Sequence, residues 1–235
     1  MLFWLRGLAI ALLLVVCVPL HQAAMWSTGR SRWYARFLRG TGWLAGVRVQ
    51  REGAPLTRDV LFAANHTSWL DIILLGGATG GAFVSKAEVG RWPVIGWLAR
   101  ISRTVFVARA ERGAVRAQAD EVGAALATGR PVILFPEGTT GGEGALLPFR
   151  ASLFAAVAGR DRLRVQPVAV DYGARLPAVR WPREESAARN ARRLLSRRGT
   201  IPVTLRFLPP IEPGPDRKLL AARVEQAVGA ALTST

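Results

Sequence analysis

Asn65-His66-Thr67-Ser68-Trp69-Leu70-Asp71 sets an imidazole and a carboxylate five residues apart. Imidazole is the only side chain whose unperturbed pKa, about 6.5, lets it take up and release protons near neutrality. A carboxylate bonded to one ring nitrogen fixes the tautomer and stabilises the imidazolium, and the other nitrogen then accepts a proton from a hydroxyl. Asp71 also has a structural reading. Ser68-Trp69-Leu70-Asp71 fits a capping box, in which the acid answers an orphan amide of a helix start, and Asn65-His66 fits an ordinary turn. The two roles are compatible, because each keeps Asp71 in the first helical turn. Further along, Phe135-Pro136-Glu137-Gly138-Thr139-Thr140 places an acid and a Gly/Thr turn directly after an apolar run. It fits a plain turn, yet an acid following a buried strand is costly without a partner or a task.

The elements that must hold these groups are legible as periodic runs. Val60-Leu61-Phe62-Ala63-Ala64 reads as a buried strand, and residues 69–75 as the start of an apolar helix. His66 therefore falls on a strand-to-helix turn, and the carboxyl ends of strands are where open α/β sheets expose their working groups. Val47-Arg48-Val49-Gln50 alternates like a short strand before a turn at Gly53-Ala54-Pro55. Further strands are expected at residues 81–85, 104–107, 132–135, 165–170 and 203–207. Residues 111–128 carry Val115, Val122 and Leu126 near helical spacing and stop at Gly129. Residues 217–232 place Leu220, Val224, Ala227 and Ala231 on one face. Alternating strands and helices predict an α/β fold, a single domain with a mostly parallel central sheet flanked by helices.

An N-terminal membrane-associating helical segment is expected ahead of that domain. Residues 8–20 are uncharged and mostly Leu, Ala and Val, and the charge-free stretch continues to Gly29. The strongly apolar part is shorter than the ~20 residues of a spanning helix, so a re-entrant or interfacial helix and a signal-peptide core stay open beside a span. Gln22-Ala23-Ala24 argues against cleavage. Arg30, Arg32, Arg36 and Arg39 interleave with Trp26, Trp33, Tyr34 and Phe37, a mixture suited to a headgroup layer. The expected division is an anchor with a basic, aromatic interfacial helix over 1–45 and a catalytic domain over 46–235. A spanning segment with this arginine excess on its C-terminal side would put the catalytic domain in the cytoplasm. A buried helix of a soluble protein is the alternative.

A net charge of +16, from 32 Lys+Arg against 16 Asp+Glu, attracts phosphate-bearing partners of any kind. Only Lys86 and Lys218 are lysines, so part of the excess fits codon bias. No nucleic-acid-reading module is recognisable, and no nucleic-acid partner is expected. Cys17 is the one cysteine, which rules out an intramolecular disulfide, and the two histidines, His21 and His66, offer no zinc spacing. No metal site is expected. Arg189, Arg192, Arg193, Arg197 and Arg198 near Trp181 read as a solvated helix face or as a second contact with anionic lipid.

Taken in order, His66-x4-Asp71, Thr104-Val105-Phe106-Val107-Ala108-Arg109, Phe135-Pro136-Glu137-Gly138-Thr139 and Val165-Gln166-Pro167-Val168-Ala169-Val170 resemble the motifs of glycerolipid acyltransferases. The likeness is to bacterial 1-acylglycerol-3-phosphate (lysophosphatidic acid) acyltransferases and lyso-ornithine-lipid acyltransferases. It runs from about residue 48 to the C-terminal helix, including Lys86 and Pro93-Val94-Ile95-Gly96. Two departures are visible. Arg103 and Ala108 stand where the family's arginine block usually has glycine and aspartate, and Gly141-Gly142-Glu143-Gly144 replaces a small polar residue after the Gly-Thr turn. Both bear on the acceptor's identity.

The resemblance implies a membrane-associated O-acyltransferase of phospholipid biosynthesis. It would carry a fatty acyl group from acyl-CoA or acyl carrier protein, with no bound cofactor, to the free hydroxyl of 1-acylglycerol-3-phosphate, giving phosphatidic acid. Lyso-ornithine lipid or another lysolipid is the alternative acceptor. It further implies His66 as general base and Asp71 as its support. Arg109, Glu137, Gly138 and Thr139 would hold the acceptor's headgroup, with Arg109 pairing with phosphate oxygens and Glu137 orienting Arg109 or an acceptor hydroxyl. A serine hydrolase would need a Gly-x-Ser-x-Gly elbow, which the chain lacks. A non-catalytic, basic membrane-surface binding protein would leave the His66 and Glu137 motifs unused.

Overall fold

A computed structural model of the chain describes residues 1–107, 114–140, 145–182 and 184–233. Among them, seven strands form one sheet: β1 (Val47–Glu52), β2 (Val60–Ala64), β3 (Ala82–Lys86), β4 (Val105–Val107), β5 (Val132–Leu134), β6 (Arg164–Asp171) and β7 (Ile201–Phe207). Their order is β1-β7-β6-β2-β5-β3-β4, and every pairing is parallel except β6 with β7. The helices are α1 (Leu2–Thr28), α2 (Trp33–Leu44), α3 (Leu70–Thr79), α4 (Pro93–Ile101), α5 (Ala114–Ala127), α6 (Leu176–Val179), α7 (Ala187–Leu195) and α8 (Arg217–Thr233). The expected α/β architecture with its mostly parallel sheet and apolar N-terminal helix is what the chain adopts.

β2 is central because its side chains suit burial on both faces. Successive residues of a strand point to opposite faces. Val60, Phe62 and Ala64 accordingly join a core with Phe37, Leu38, Leu70 and Leu74. Leu61 and Ala63 join a second core with Val122, Leu126, Phe154 and Val224. All five β2 residues are fully buried, the pattern of a parallel strand covered by helices on both sides.

α1 is longer than its apolar stretch suggests and ends on Gly29, whose φ of 66° closes the helix in the left-handed region. Cys17 and His21 are buried, Leu13 packs over Gly40 of α2, and the Arg6 guanidinium donates to the carbonyls of Leu195 (3.2 Å) and Arg197 (3.0 Å). The His21 ring reaches the backbone of Ile101. With Arg6 fastened and Cys17 and His21 buried, α1 lies along the domain rather than projecting from it. Its other side exposes Leu5, Leu8, Leu12, Val16 and Leu20, at three- and four-residue spacing. By length and composition the 27-residue helix is long and apolar enough to cross a membrane.

Candidate active site

Parallel register gathers the site. Ala63 pairs with Leu134 and Ala64 with Val168, so the chain leaves β2, β5 and β6 at one edge of the sheet. His66 lies three residues beyond Ala63, Glu137 three beyond Leu134, and Tyr172 four beyond Val168. Three segments distant in sequence thus meet at the same height. Asn65 pins the junction from within, donating to the Val170 carbonyl (3.0 Å) and accepting from the Val170 N–H (2.8 Å).

His66 Nδ1 lies 3.0 Å from Asp71 Oδ2. The same oxygen accepts from the backbone N–H groups of Thr67 (2.7 Å) and Ser68 (2.8 Å), while Oδ1 accepts from the Tyr172 hydroxyl (2.6 Å). Asp71 therefore caps α3 and orients the imidazole at once, as the sequence allowed. Four donors thus converge on a fully buried side chain. Nδ1 then carries the proton, and the Nε2 lone pair is left to accept one. The ring stacks on Phe135 at 4.0 Å between centroids and 15° between planes, and Phe135 in turn faces Phe83. Its orientation is fixed by contacts on the face and at the Nδ1 edge.

Glu137 is 3% exposed and ties the β5 loop to the histidine turn: Oε1 accepts from the His66 N–H at 2.7 Å, and Oε2 from the Leu147 N–H at 3.2 Å. Burial pushes its carboxyl up to about 7, against the opposing pull of those two amides, and the Asp71 charge adds to the rise. Gly138 follows at φ 70°, where a Cβ would come within 3.2 Å of the Arg150 guanidinium. Thr139 continues the turn, half-buried. Arg109 lies outside the described residues. The described residues contain no group of three or more His, Cys, Asp or Glu fit to hold a metal.

Two residues at the site escape sequence reasoning. Tyr172 is a lone aromatic after a strand, and only the β2–β6 pairing gives it meaning. Burial and the neighbouring Asp71 charge hold its phenol well above the ordinary range, so it remains a donor. Arg150 reaches the Gly138 turn because its own N–H bonds to the Pro136 carbonyl at 3.0 Å, a fold-back with no local signature.

A buried carboxyl group with an oriented, partly exposed imidazole can deprotonate a hydroxyl. A family model described as Acyltransferase matches residues 46–171. The lyso-ornithine lipid O-acyltransferase of Brucella abortus is 38% identical over 81% of this chain and 78% of its own length. The 1-acyl-sn-glycerol-3-phosphate acyltransferase of Neisseria gonorrhoeae is 35% identical over 64% of this chain and 56% of its own. The crystal structure of the 1-acyl-sn-glycerophosphate acyltransferase PlsC from Thermotoga maritima superposes with a TM-score of 0.66 at 25% identity, covering 98% of this chain and 96% of that one.

Proposed function

The chain belongs to the acyltransferase family, and from that premise we propose that it transfers a fatty acyl group from a thioester to the free hydroxyl of lyso-ornithine lipid. The carrying observation is the His66–Asp71 pair, 3.0 Å apart on a fully buried side chain that accepts four hydrogen bonds. Nε2 takes the hydroxyl proton as the oxygen attacks the thioester carbonyl. Collapse of the tetrahedral intermediate expels the thiolate, which recovers that proton from the imidazolium. No serine or cysteine stands in a nucleophile motif beside His66, so the acyl group passes directly between substrates.

Lyso-ornithine lipid leads because the relative of that name is matched over more of this chain, and at higher identity, than the glycerophosphate-specific one. Acylation of 1-acylglycerol-3-phosphate is the second reading, favoured by the likeness to PlsC over nearly the whole chain. The two headgroups differ in kind. Ornithine carries a carboxylate and an amine where the other acceptor carries a phosphate. We assign the Gly138–Thr139 turn and Arg109 to holding the headgroup, with Glu137 keeping the turn against His66. Residues 1–45 act as the membrane-binding segment and 46–235 as the catalytic domain, on the cytoplasmic side.

The test is purified protein in detergent, offered a panel of lysolipids with acyl-CoA and with acyl carrier protein thioester, and product identification by mass. Lyso-ornithine lipid turnover is expected, and His66→Ala should lower it by a factor of ~10² to 10⁴. Turnover of glycerophosphate acceptors alone would promote the second reading. Undiminished turnover in His66→Ala would remove the base.

A further inference from the structure

Helix α4 is oriented against the usual sense. A surface helix normally buries its apolar stripe and shows its polar side to water. Here the side turned to the protein is Gly96, where an added Cβ would collide with the Gly90 backbone, together with Arg100, whose guanidinium donates to the Gly90 carbonyl at 2.7 Å. The opposite side carries Val94, Ile95, Trp97 and Leu98. Val94, Ile95 and Trp97 are 58%, 50% and 43% exposed, and Trp92, just before the helix, is 44% exposed. Pro93 at the first position starts the helix without needing a bonded N–H.

Two further observations say what covers this face. The C-terminal end of α4 lies beside the N-terminal helices, with His21 of α1 near the Ile101 backbone and Tyr34 of α2 bonded to Ser102. Exposed Arg91 and Arg103 also flank the helix at its two ends, and tryptophan and arginine around an apolar centre suit the headgroup boundary of an anionic leaflet.

We propose that α4 is a second membrane-inserting element, entering the same leaflet as α1 and setting the mouth of the active site against the lipid. The placement serves the chemistry. α4 follows the carboxyl end of β3, which runs parallel to β5, and Phe83 of β3 is joined to His66 through Phe135. An acceptor lipid can then reach His66 without crossing water.

The proposal rests on a lipid acceptor, but its test reads depth rather than turnover, so failure of either is separable. In a Cys17→Ser background, Ile95→Cys is labelled with an environment-sensitive fluorophore and mixed with phosphatidylethanolamine/phosphatidylglycerol vesicles containing lipids nitroxide-labelled high on the acyl chain. Position 95 should shift to the blue and be quenched, as should Leu12→Cys on α1, while Glu212→Cys should not change. A solvent-like signal at 95 with quenching at 12 overturns the proposal. So does a response in vesicle-free detergent on adding acyl carrier protein, which would make the face a protein dock, or on raising the enzyme concentration, which would make it a self-interface. Val94→Ser with Ile95→Ser and Trp97→Ser should raise the KM for vesicle-borne lysolipid severalfold and leave the thioester KM unchanged. Equal change in both would also overturn it.

Discussion

Asp71 answers four donors, and each sets something different: two amides anchor the start of α3, the imidazole receives its tautomer, and Tyr172 takes the remaining oxygen. A hydrogen bond to a charged group is worth ~1.5–3 kcal/mol. Tyr172→Phe keeps the ring's packing and deletes the donor, leaving Asp71 less firmly held against His66. kcat should fall about tenfold, ~1.4 kcal/mol of barrier, with a lowered melting temperature. An unchanged kcat beside the same drop in melting temperature would reduce Tyr172 to packing. Glu137 supplies a pH dependence. Its carboxyl titrates at about 7 in the fold against an ordinary 4.5, so the protonated form is the one the fold favours. Its contribution is complete below about 4.5 and is lost as pH rises through about 7. Unfolding in denaturant at several pH values should show stability falling across that window, and Glu137→Gln should flatten the fall. The same slope in the variant would assign it to another group.

α3 carries Asp71 in its first turn, and its position is set by two glycines that let α2 come close. A Cβ on Gly77 would stand 3.0 Å from the Arg39 nitrogen and 3.2 Å from its Cα, backbone atoms that yield only if α2 shifts. Overpacking of this kind costs about 1–3 kcal/mol, and the better helix propensity of alanine returns at most about 1. Gly77→Ala should therefore lower the melting temperature and, by tilting α3, lower kcat; a more stable variant would show that α2 moves freely. Which elements could be read from sequence follows from where their signal lies. All seven strands announced themselves as apolar or alternating runs, because a buried strand needs little besides β-branched and aliphatic residues. The His66–Asp71 spacing was equally legible, since a short strand-to-helix turn brings the two together through local sequence alone. α4 gave no helical signal of its own: it is short, starts at Pro93, contains Gly96, and turns its apolar side outward. Tyr172 and Arg150 were invisible for a different reason, since their neighbours are supplied by sheet register and a loop fold-back rather than by anything nearby in sequence.

At the scale of the whole molecule, attachment combines a net charge of +16 with the apolar stripe of α1, and the two respond differently to salt. Each Lys or Arg near an anionic leaflet contributes about 1 kcal/mol, and that attraction fades within a Debye length of ~10 Å at 0.1 M salt, shorter when more is added. The stripe is indifferent to screening, since burial of Leu5, Leu8, Leu12, Val16 and Leu20 depends on apolar area removed from water. Full-length protein should therefore stay in the membrane fraction through a high-salt wash. Removing residues 1–29 takes away the stripe and also uncovers the face of α2 that α1 packs on, including Gly40 under Leu13. The truncated chain should leave the salt-washed membrane and divide between soluble and aggregated material, with whatever remains bound at low salt held by the arginines and by α4. Complete release of the full-length protein by salt alone would mean that α1 never enters the lipid and that charge does all the binding.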